Sequence, residues 1–524
     1  MRKFNVTGTC YPDEHYMVDL TSRIAAIRKM VDGGDYFTIN RSWQYGKTTT
    51  LFALEQALKD DYLCLSMDFQ GLGDSSFASE EAFCRTFLSL ADTSLKINGL
   101  GRNERNKWAG HNIKSIPDLG EHLQEMAENK QVVLMIDEVD RASNIRVFLK
   151  FLGMLRSQYL SRRRIKPAFK SVILVGVSDI STIKLKMISE GIYEKNESEG
   201  EQISPWNIAA AFNVDMAFSP ADIVSMLEDY EREHHSGMNK GKIAERIYFY
   251  TSGYPFMVSS ICKIIDEKPL AWDENGVNEA AKIFTRTPCT LFTSLSKNLY
   301  AYPKLAEIVY NTLIGGIDYS YTEMDIDIRL GAMYGVLKAT ADRKVMVCNV
   351  IFETVMEELF MTQNEIKNTT DIYTGEKSIF IKTNGDLDMQ MVIERFCVFL
   401  KSEYRAKDSE FIERNCRLIF LCFLRGIING AGNYAVEPET RNFSRMDIQV
   451  FYNKKVYVME LKIWHGPKKE DAALDQLTSY LSAQNLKEGY LLSFIDGNSA
   501  PHEIRTREHK GCTIYEAVAA FGDK

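Results

Sequence analysis

Ten cysteines are scattered along 524 residues with no CxxC pair and no Cys/His cluster at zinc-ligand spacing, which argues against a structural zinc site. Reduced, mostly buried thiols in a cytoplasm fit this pattern best. Long apolar runs are lacking as well. The longest, Leu418–Leu424, is far below the roughly 20 residues that span a bilayer, so no membrane contact is expected. The N-terminal stretch MRKFNVTGTC has no apolar region of the kind a signal peptide carries. A cytoplasmic protein is therefore predicted. Basic excess is missing too: the net charge is −8, so any contact with nucleic acid has to come from local patches. What is present is ordinary for a soluble globular protein, 45% hydrophobic and 26% charged residues. The length allows about three or four domains of roughly 100–200 residues each.

The stretch Tyr36–Leu51, YFTINRSWQYGKTTTL, organises the first half of the chain. It reads as a short strand (Tyr36–Asn40), a loop (Arg41–Tyr45) and then Gly46-Lys47-Thr48 opening a helix, the layout of a phosphate-binding loop. Amides at a helix N-terminus point at phosphate oxygens, and the helix dipole favours anions there. Gly46 lets the backbone come close, Lys47 reaches the outer phosphates, and the Thr48 hydroxyl, with Thr49 beside it, suits Mg²⁺ and phosphate. The first glycine of the usual GxxxxGK[ST] pattern is absent, and Arg41 takes its place. Alone, Gly-Lys-Thr would also fit an ordinary helix start. A second signal joins it. Gln131–Arg141, QVVLMIDEVDR, is an apolar run ending in two acids, as a buried parallel strand would be. Its C-terminal end is expected beside the phosphate loop in a doubly wound sheet. Asp137 would hold Mg²⁺ through water, and Glu138 would orient or deprotonate the attacking water. The alternative is a core strand capped by solvated acids. The two motifs in order predict nucleotide binding and hydrolysis.

Around these motifs, strands and helices alternate, which predicts an α/β sheet covered on both faces. Strands are expected at Tyr62–Phe69, Ser171–Ser178 and Val214–Ser219. Ser178 ends its strand where a polar side chain can sense the γ-phosphate. Helices are expected from Thr21, a candidate N-cap, and over Glu80–Ile97, Glu121–Glu128 and Phe148–Tyr159. The segment before the first helix either closes over a nucleotide base or is a packing extension. The basic cluster Arg162–Lys170 is either a solvated loop or a phosphate contact. From Pro220 the chain reads as helical, with Gly253-Tyr254-Pro255 forming a turn whose glycine permits an unusual backbone angle. Three short helices, a hairpin-like KATADRKVMVCNV and the helix Ile351–Leu359 then suggest a winged-helix module, compatible with DNA contact or protein docking. Thr362–Gly385 is polar and reads as a linker with a short strand at Ser378–Lys382.

A second chemical site is expected near the C-terminus. Met446–Tyr452 and Val456–Ile463 read as two strands joined by Asn453-Lys454-Lys455. Pairing them about that loop sets residue 447 opposite 461, within one position. Asp447 and Glu460 become neighbours, and Lys462 projects from the face of Glu460, with Val456 and Val458. Charges gathered on an otherwise apolar strand need partners or a metal. Two carboxylates and a lysine around Mg²⁺ suit phosphodiester hydrolysis. An Asp–Lys–Glu ion-pair network is the alternative. Gln476 and Tyr480 lie four apart on a predicted helix, Ala472–Ala483, hence on one face.

Together the two sites resemble a known bacterial architecture. Arg41, Gly46-Lys47-Thr48, Asp137-Glu138, Ser178 and Gly253-Tyr254-Pro255 are similar to the pattern of AAA-ATPase-like P-loop proteins close to the STAND and archaeal ATPase groups. Arg445-Met446-Asp447, Glu460-Leu461-Lys462, Gln476 with Tyr480, and Glu413 resemble the core motifs of the PD-(D/E)XK nuclease superfamily. A further acid often precedes the metal-binding Asp, and Glu437 and Glu439 are both candidates. The resemblance implies ATP, Mg²⁺ (with Mn²⁺ at the nuclease site) and nucleic acid, DNA foremost. The resemblance covers about residues 1–265 and 387–524. With the segment readings above, the expected domains are a P-loop NTPase core over residues 1–220, a helical lid over 221–289, a winged-helix-like segment over 290–362, a linker over 363–386 and a restriction-endonuclease-like domain over 387–524. The reading is an ATPase whose nucleotide state gates a metal-dependent nuclease, through a homo-oligomer. Its rival is a non-catalytic ATP-dependent switch.

Overall fold

The computed structural model describes the chain except residues 1, 111, 143–144, 178–205, 269, 314–318, 368–376, 404–418, 422, 425–426, 429–431, 437–447, 454, 464–466, 497–503 and 522–524. Two compact units are present: Met1–Phe284 with Met333–Gly335, and Thr285–Ala332 with Val336–Lys524.

The first unit is built on four parallel strands, β1 (Tyr36–Asn40), β2 (Leu63–Asp68), β3 (Val132–Asp137) and β4 (Ser171–Gly176), in the order β1-β4-β3-β2. Both faces are covered, which is why the central strands β3 and β4 are buried along their whole length without alternation. Val132, Leu134 and Ile136 enter one core, with Phe83, Phe87, Phe148 and Phe151. Val133 and Met135 enter the other, with Ile27, Val31, Leu51 and Leu54. The helices are α1 (Thr21–Gly33), α2 (Lys47–Leu58), α3 (Glu80–Ile97), α4 (Arg102–Ala109), α5 (Ile116–Met126) and α6 (Ile145–Ser161). Capping fixes several starts. Ser79 accepts from the Ala82 N–H, and Ser115 from the Asp118 N–H. Thr21 is the first residue of α1 and not its cap; Asp19 accepts from both its N–H and its hydroxyl. Within the basic cluster, Lys166 donates to the carbonyls of Ala127, Glu128 and Lys130 beyond α5.

The strand expected at Val214–Ser219 does not form. The fifth position beside β1 is an isolated bridge, Phe37 to Ala210. Side chains use the backbone groups a ladder would need: Arg41 takes the Val214 carbonyl, and Arg23 takes those of Asp215 and Ala217. Four helices follow, α7 (Pro220–His234), α8 (Lys240–Thr251), α9 (Pro255–Glu267) and α10 (Glu274–Thr285).

The second unit opens with α11 (Thr290–Ala301), α12 (Pro303–Leu313) and α13 (Ile326–Met333). A two-stranded antiparallel hairpin, β5 (Leu337–Ala339) and β6 (Val345–Val347), then leads to α14 (Val350–Lys367). That helix runs into the stretch read as a linker, and Lys377–Phe380 is a 3-10 turn rather than a strand. After α15 (Met389–Glu403) comes a six-stranded mixed sheet, ordered β11-β12-β10-β9-β8-β7. Its strands are β7 (Gly432–Val436), β8 (Ile448–Tyr452), β9 (Lys455–Ile463), β10 (Glu488–Asp496), β11 (Arg505–His509) and β12 (Cys512–Phe521). Helix α16 (Pro467–Ala483) joins β9 to its parallel neighbour β10, and Leu474, Leu477 and Tyr480 pack on Val458 and Leu491.

Candidate functional site

Gln44 (φ 56°) and Gly46 (φ 75°) both hold left-handed backbone between β1 and α2. Turns of this kind converge backbone N–H groups into an anion nest. The N-cap of α2 is Gly46, which has no side chain to cap it, so the first-turn amides have no partner within the helix. A Cβ built at Gly46 would meet nothing within 4 Å; the glycine is required by its φ, and it borders open space. That space is a cavity of about 470 Å³ lined by Gly46–Thr50, Asp68, Asp137 and Glu138 among others. Its lining also includes the apolar side chains of Val6, Val18, Met216, Phe218 and Phe256.

Lys47 is buried, and its Nζ donates to the carbonyls of Arg41 and Ser42, each at 2.9 Å. Burial pushes its pKa down, while Glu138, Asp137 and Asp140 oppose the shift. The Thr48 hydroxyl donates to Asp137 Oδ2 at 2.6 Å. Burial raises the Asp137 carboxyl, against the Thr48 hydrogen bond. The two hard oxygen donors side by side suit Mg²⁺. Glu138 follows in left-handed backbone (φ 55°), an uncommon state for a residue with a side chain. Its N–H donates to Asp137 Oδ1, and burial raises its carboxyl, with Lys47 opposing. Thr49 lines the cavity and accepts from the Cys10 N–H at 3.1 Å. Arg41 stands apart. Its guanidinium donates to the carbonyls of Asn40 and Val214 and lies 5.4 Å from the Phe212 ring centroid, away from the cavity wall. The structure therefore gives its side chain a supporting place behind the loop. Ser178 lies outside the described residues.

The segment before α1 borders the cavity through Asn5–Cys10 and Met17–Val18. It is tied at one end to α2, through Cys10 and through the Tyr11 ring set edge-on to Phe52. At the other end Arg2 donates to Asp229 and Glu233, and Tyr16 donates to Glu233, all on α7. Tyr254 also reaches the phosphate loop. It donates to the Trp43 carbonyl and accepts from the Ser42 hydroxyl. Gly253 has no room for a side chain, because its Cβ would sit 2.0 Å from the Phe218 carbonyl oxygen. Sequence reasoning missed Asp140, Asp68 and the reach of Tyr254; the acid three places after Asp137 was the available signal for Asp140.

In the second unit, Glu460 is fully buried and its Oε1 lies 2.6 Å from Lys462 Nζ. Ile448 pairs with Met459, one position from the register expected. Val458 and Glu460 face α16, where Tyr480 is buried and accepts from the Gln449 amide, another residue the sequence did not reveal. Gln476 is half-buried on the same helix. Asp447, Glu413, Glu437 and Glu439 lie outside the described residues. Among the described residues, no group of three or more His, Cys, Asp or Glu side chains gathers as a metal site.

A parallel sheet carrying a Gly-Lys-Thr loop on one strand and paired acids on another, with the cavity between, is the arrangement of a P-loop nucleoside triphosphatase. A family model described as "AAA-like domain" matches residues 13–351, and the chain belongs to that family. Solved structures to which the chain is similar include the Aeropyrum pernix ORC2 protein in ADPNP and ADP complexes. It is 13% identical, with a TM-score of 0.33 over 68% of this chain and 97% of that one. A mutant form of Thermotoga maritima RuvB is 11% identical, with a TM-score of 0.32 over 63% of this chain and 92% of that one. No curated protein matches the sequence. Among the described residues, no helix is long and apolar enough to cross a membrane.

Proposed function

We propose that the first unit binds and hydrolyses ATP. The observation that carries this is the convergence of Lys47, the Thr48–Asp137 pair and Glu138 on one cavity. Its volume of about 470 Å³ lies within the range of nucleotide-sized pockets. The α2 amides and Lys47 bind the phosphates, and Thr48 and Asp137 hold Mg²⁺, which when bound neutralises phosphate charge. Glu138 orients the attacking water. Val18, Met216 and Phe256, apolar side chains of the same lining, receive the base. Measurement of ATP binding and turnover on the purified chain tests the assignment. No affinity for ATP would remove it.

For the second unit the favoured reading is a PD-(D/E)XK-type nuclease acting on DNA, gated by nucleotide state in a homo-oligomer. A buried Glu460 beside Lys462, on a hairpin followed by the helix of Gln476 and Tyr480, supports it. Asp447 would complete the metal pair. The direct Glu460–Lys462 contact also favours a second reading, in which the pair is structural and the unit only binds nucleic acid or protein. An assay across DNA and RNA substrates, with Mg²⁺ or Mn²⁺ and with or without ATP, separates them. Cleavage that responds to ATP supports the gated nuclease; no cleavage under any of these conditions supports the switch. The domain limits at 220, 289, 362 and 386 belong to the same proposal.

A further inference from the structure

We infer that Asp140 is a positioning residue for Glu138, acting by clamping the turn after β3 to the end of β4; this rests on the hydrolysis reading above. Asp140 does not line the cavity. It sits on the 3-10 turn Val139–Arg141 that follows Glu138 directly. Its Oδ2 accepts from the Val177 N–H at 2.8 Å. Its Oδ1 lies against Gly176, where a Cβ would come within 1.9 Å of it. The fit is close enough that residue 176 has to be glycine for the carboxylate to stay where it is.

The same end of β4 also meets the phosphate loop. The Gly176 carbonyl accepts from the Arg41 N–H at 3.2 Å. A single peptide group, Gly176–Val177, thus joins the root of the loop carrying Lys47 to the turn carrying Glu138. The turn needs such a restraint. Glu138 holds φ 55° and ψ 42°, and a side-chain-bearing residue keeps left-handed backbone only where its surroundings impose it. If the turn relaxes, the Glu138 carboxylate swings relative to Lys47 and the cavity, and misplacement by about 1 Å can cost roughly 10²-fold in rate. Asp140 is not part of the cavity lining, so its loss is expected to fall on turnover rather than on affinity.

The test uses the full chain, with ATP affinity measured at equilibrium and kcat and KM from steady-state turnover. Asp140→Ala is expected to lower kcat about 10²-fold with Kd and KM for ATP unchanged. Asp140→Asn keeps an oxygen that accepts from the Val177 N–H and is expected to retain most of the rate. Gly176→Ala displaces the carboxylate and is expected to lower kcat in the native background, while adding little in the Asp140→Ala background. It also serves should Asp140→Ala fail to fold. Unchanged kcat in Asp140→Ala, or equal losses in the Ala and Asn variants, overturns the clamp. So does a fall in affinity that parallels the fall in rate. A wild type that binds ATP and never turns it over overturns the hydrolysis reading and the inference with it. That outcome is distinct from failure of the clamp alone, where the wild type and Asp140→Ala both turn over.

Discussion

Lys47 holds a charge where burial works against it, and its Nζ is satisfied by the carbonyls of Arg41 and Ser42. A phosphate offers it a full negative charge in place of two dipoles. A charge-assisted contact of this kind contributes roughly 1.5–3 kcal/mol, so Lys47→Ala is expected to weaken ATP binding by about 10- to 150-fold. Equilibrium titration with labelled ATP reads this, and an unchanged Kd would remove the phosphate-loop assignment. Glu138 differs in kind. Its carboxyl touches neither Thr48 nor the loop amides, so Glu138→Gln should leave ATP bound while turnover falls about 10²–10⁴-fold. Normal turnover in that variant would mean that Glu138 is structural and that another group supplies the base.

At the scale of elements, the turn between α8 and α9 is as constrained as the phosphate loop it supports. Gly253 holds φ 73°, its carbonyl accepts from the Phe218 N–H at 2.8 Å, and its Cα faces the Phe218 carbonyl. Gly253→Ala therefore has to break this backbone contact as well as adopt a left-handed angle, a combined cost of about 2–4 kcal/mol. Tyr254→Phe removes only the hydroxyl held by Ser42 and Trp43, about 0.5–1.5 kcal/mol. Thermal unfolding of the two variants should rank them in that order, and a wild-type melting temperature for Gly253→Ala would show that the turn relaxes freely. The Gly-Tyr-Pro turn was visible in the sequence because glycine and proline mark backbone angles; its contact with the loop was not, since no spacing rule links residue 254 to residue 42. Likewise β3 and β4 were legible because a strand buried on both faces is a nearly unbroken apolar run. β11, Arg505–His509, was not, because it is an almost fully exposed edge strand with no apolar face to leave a pattern. Helix α4 buries only Trp108, too little for a period. Val214–Ser219 misled in the opposite direction, since its residues suit a strand while Arg23 and Arg41 occupy its carbonyls. In the second site, the register and the shared face of Val458 and Glu460 followed from counting about the hairpin, whereas the Gln449–Tyr480 contact depends on how α16 packs across the sheet.

For the whole molecule, the question is whether the second unit holds a metal or an ion pair at Glu460. A carboxylate with no exposed surface is expensive to bury unpaired, and Lys462, 41% exposed, pairs with its Oε1. The two readings then differ in sign. If Glu460 is a metal ligand, Mn²⁺ binds the folded state and stabilises it by mass action, about 2.7 kcal/mol at a hundred times its Kd. Glu460→Gln should lose most of that gain. If the pair is structural, Mn²⁺ leaves the wild type unchanged, and Glu460→Gln is destabilised by little, because Lys462 can turn into water once its partner is neutral. Thermal unfolding of the full chain with and without Mn²⁺ distinguishes these outcomes. Wild type and variant share the same Thr48 and Asp137, so metal bound in the first unit contributes equally to both, and the difference between them isolates Glu460. A gain with Mn²⁺ that is identical in the two chains would place the metal in the first unit alone and leave the second as a binding module that responds to ATP without cutting.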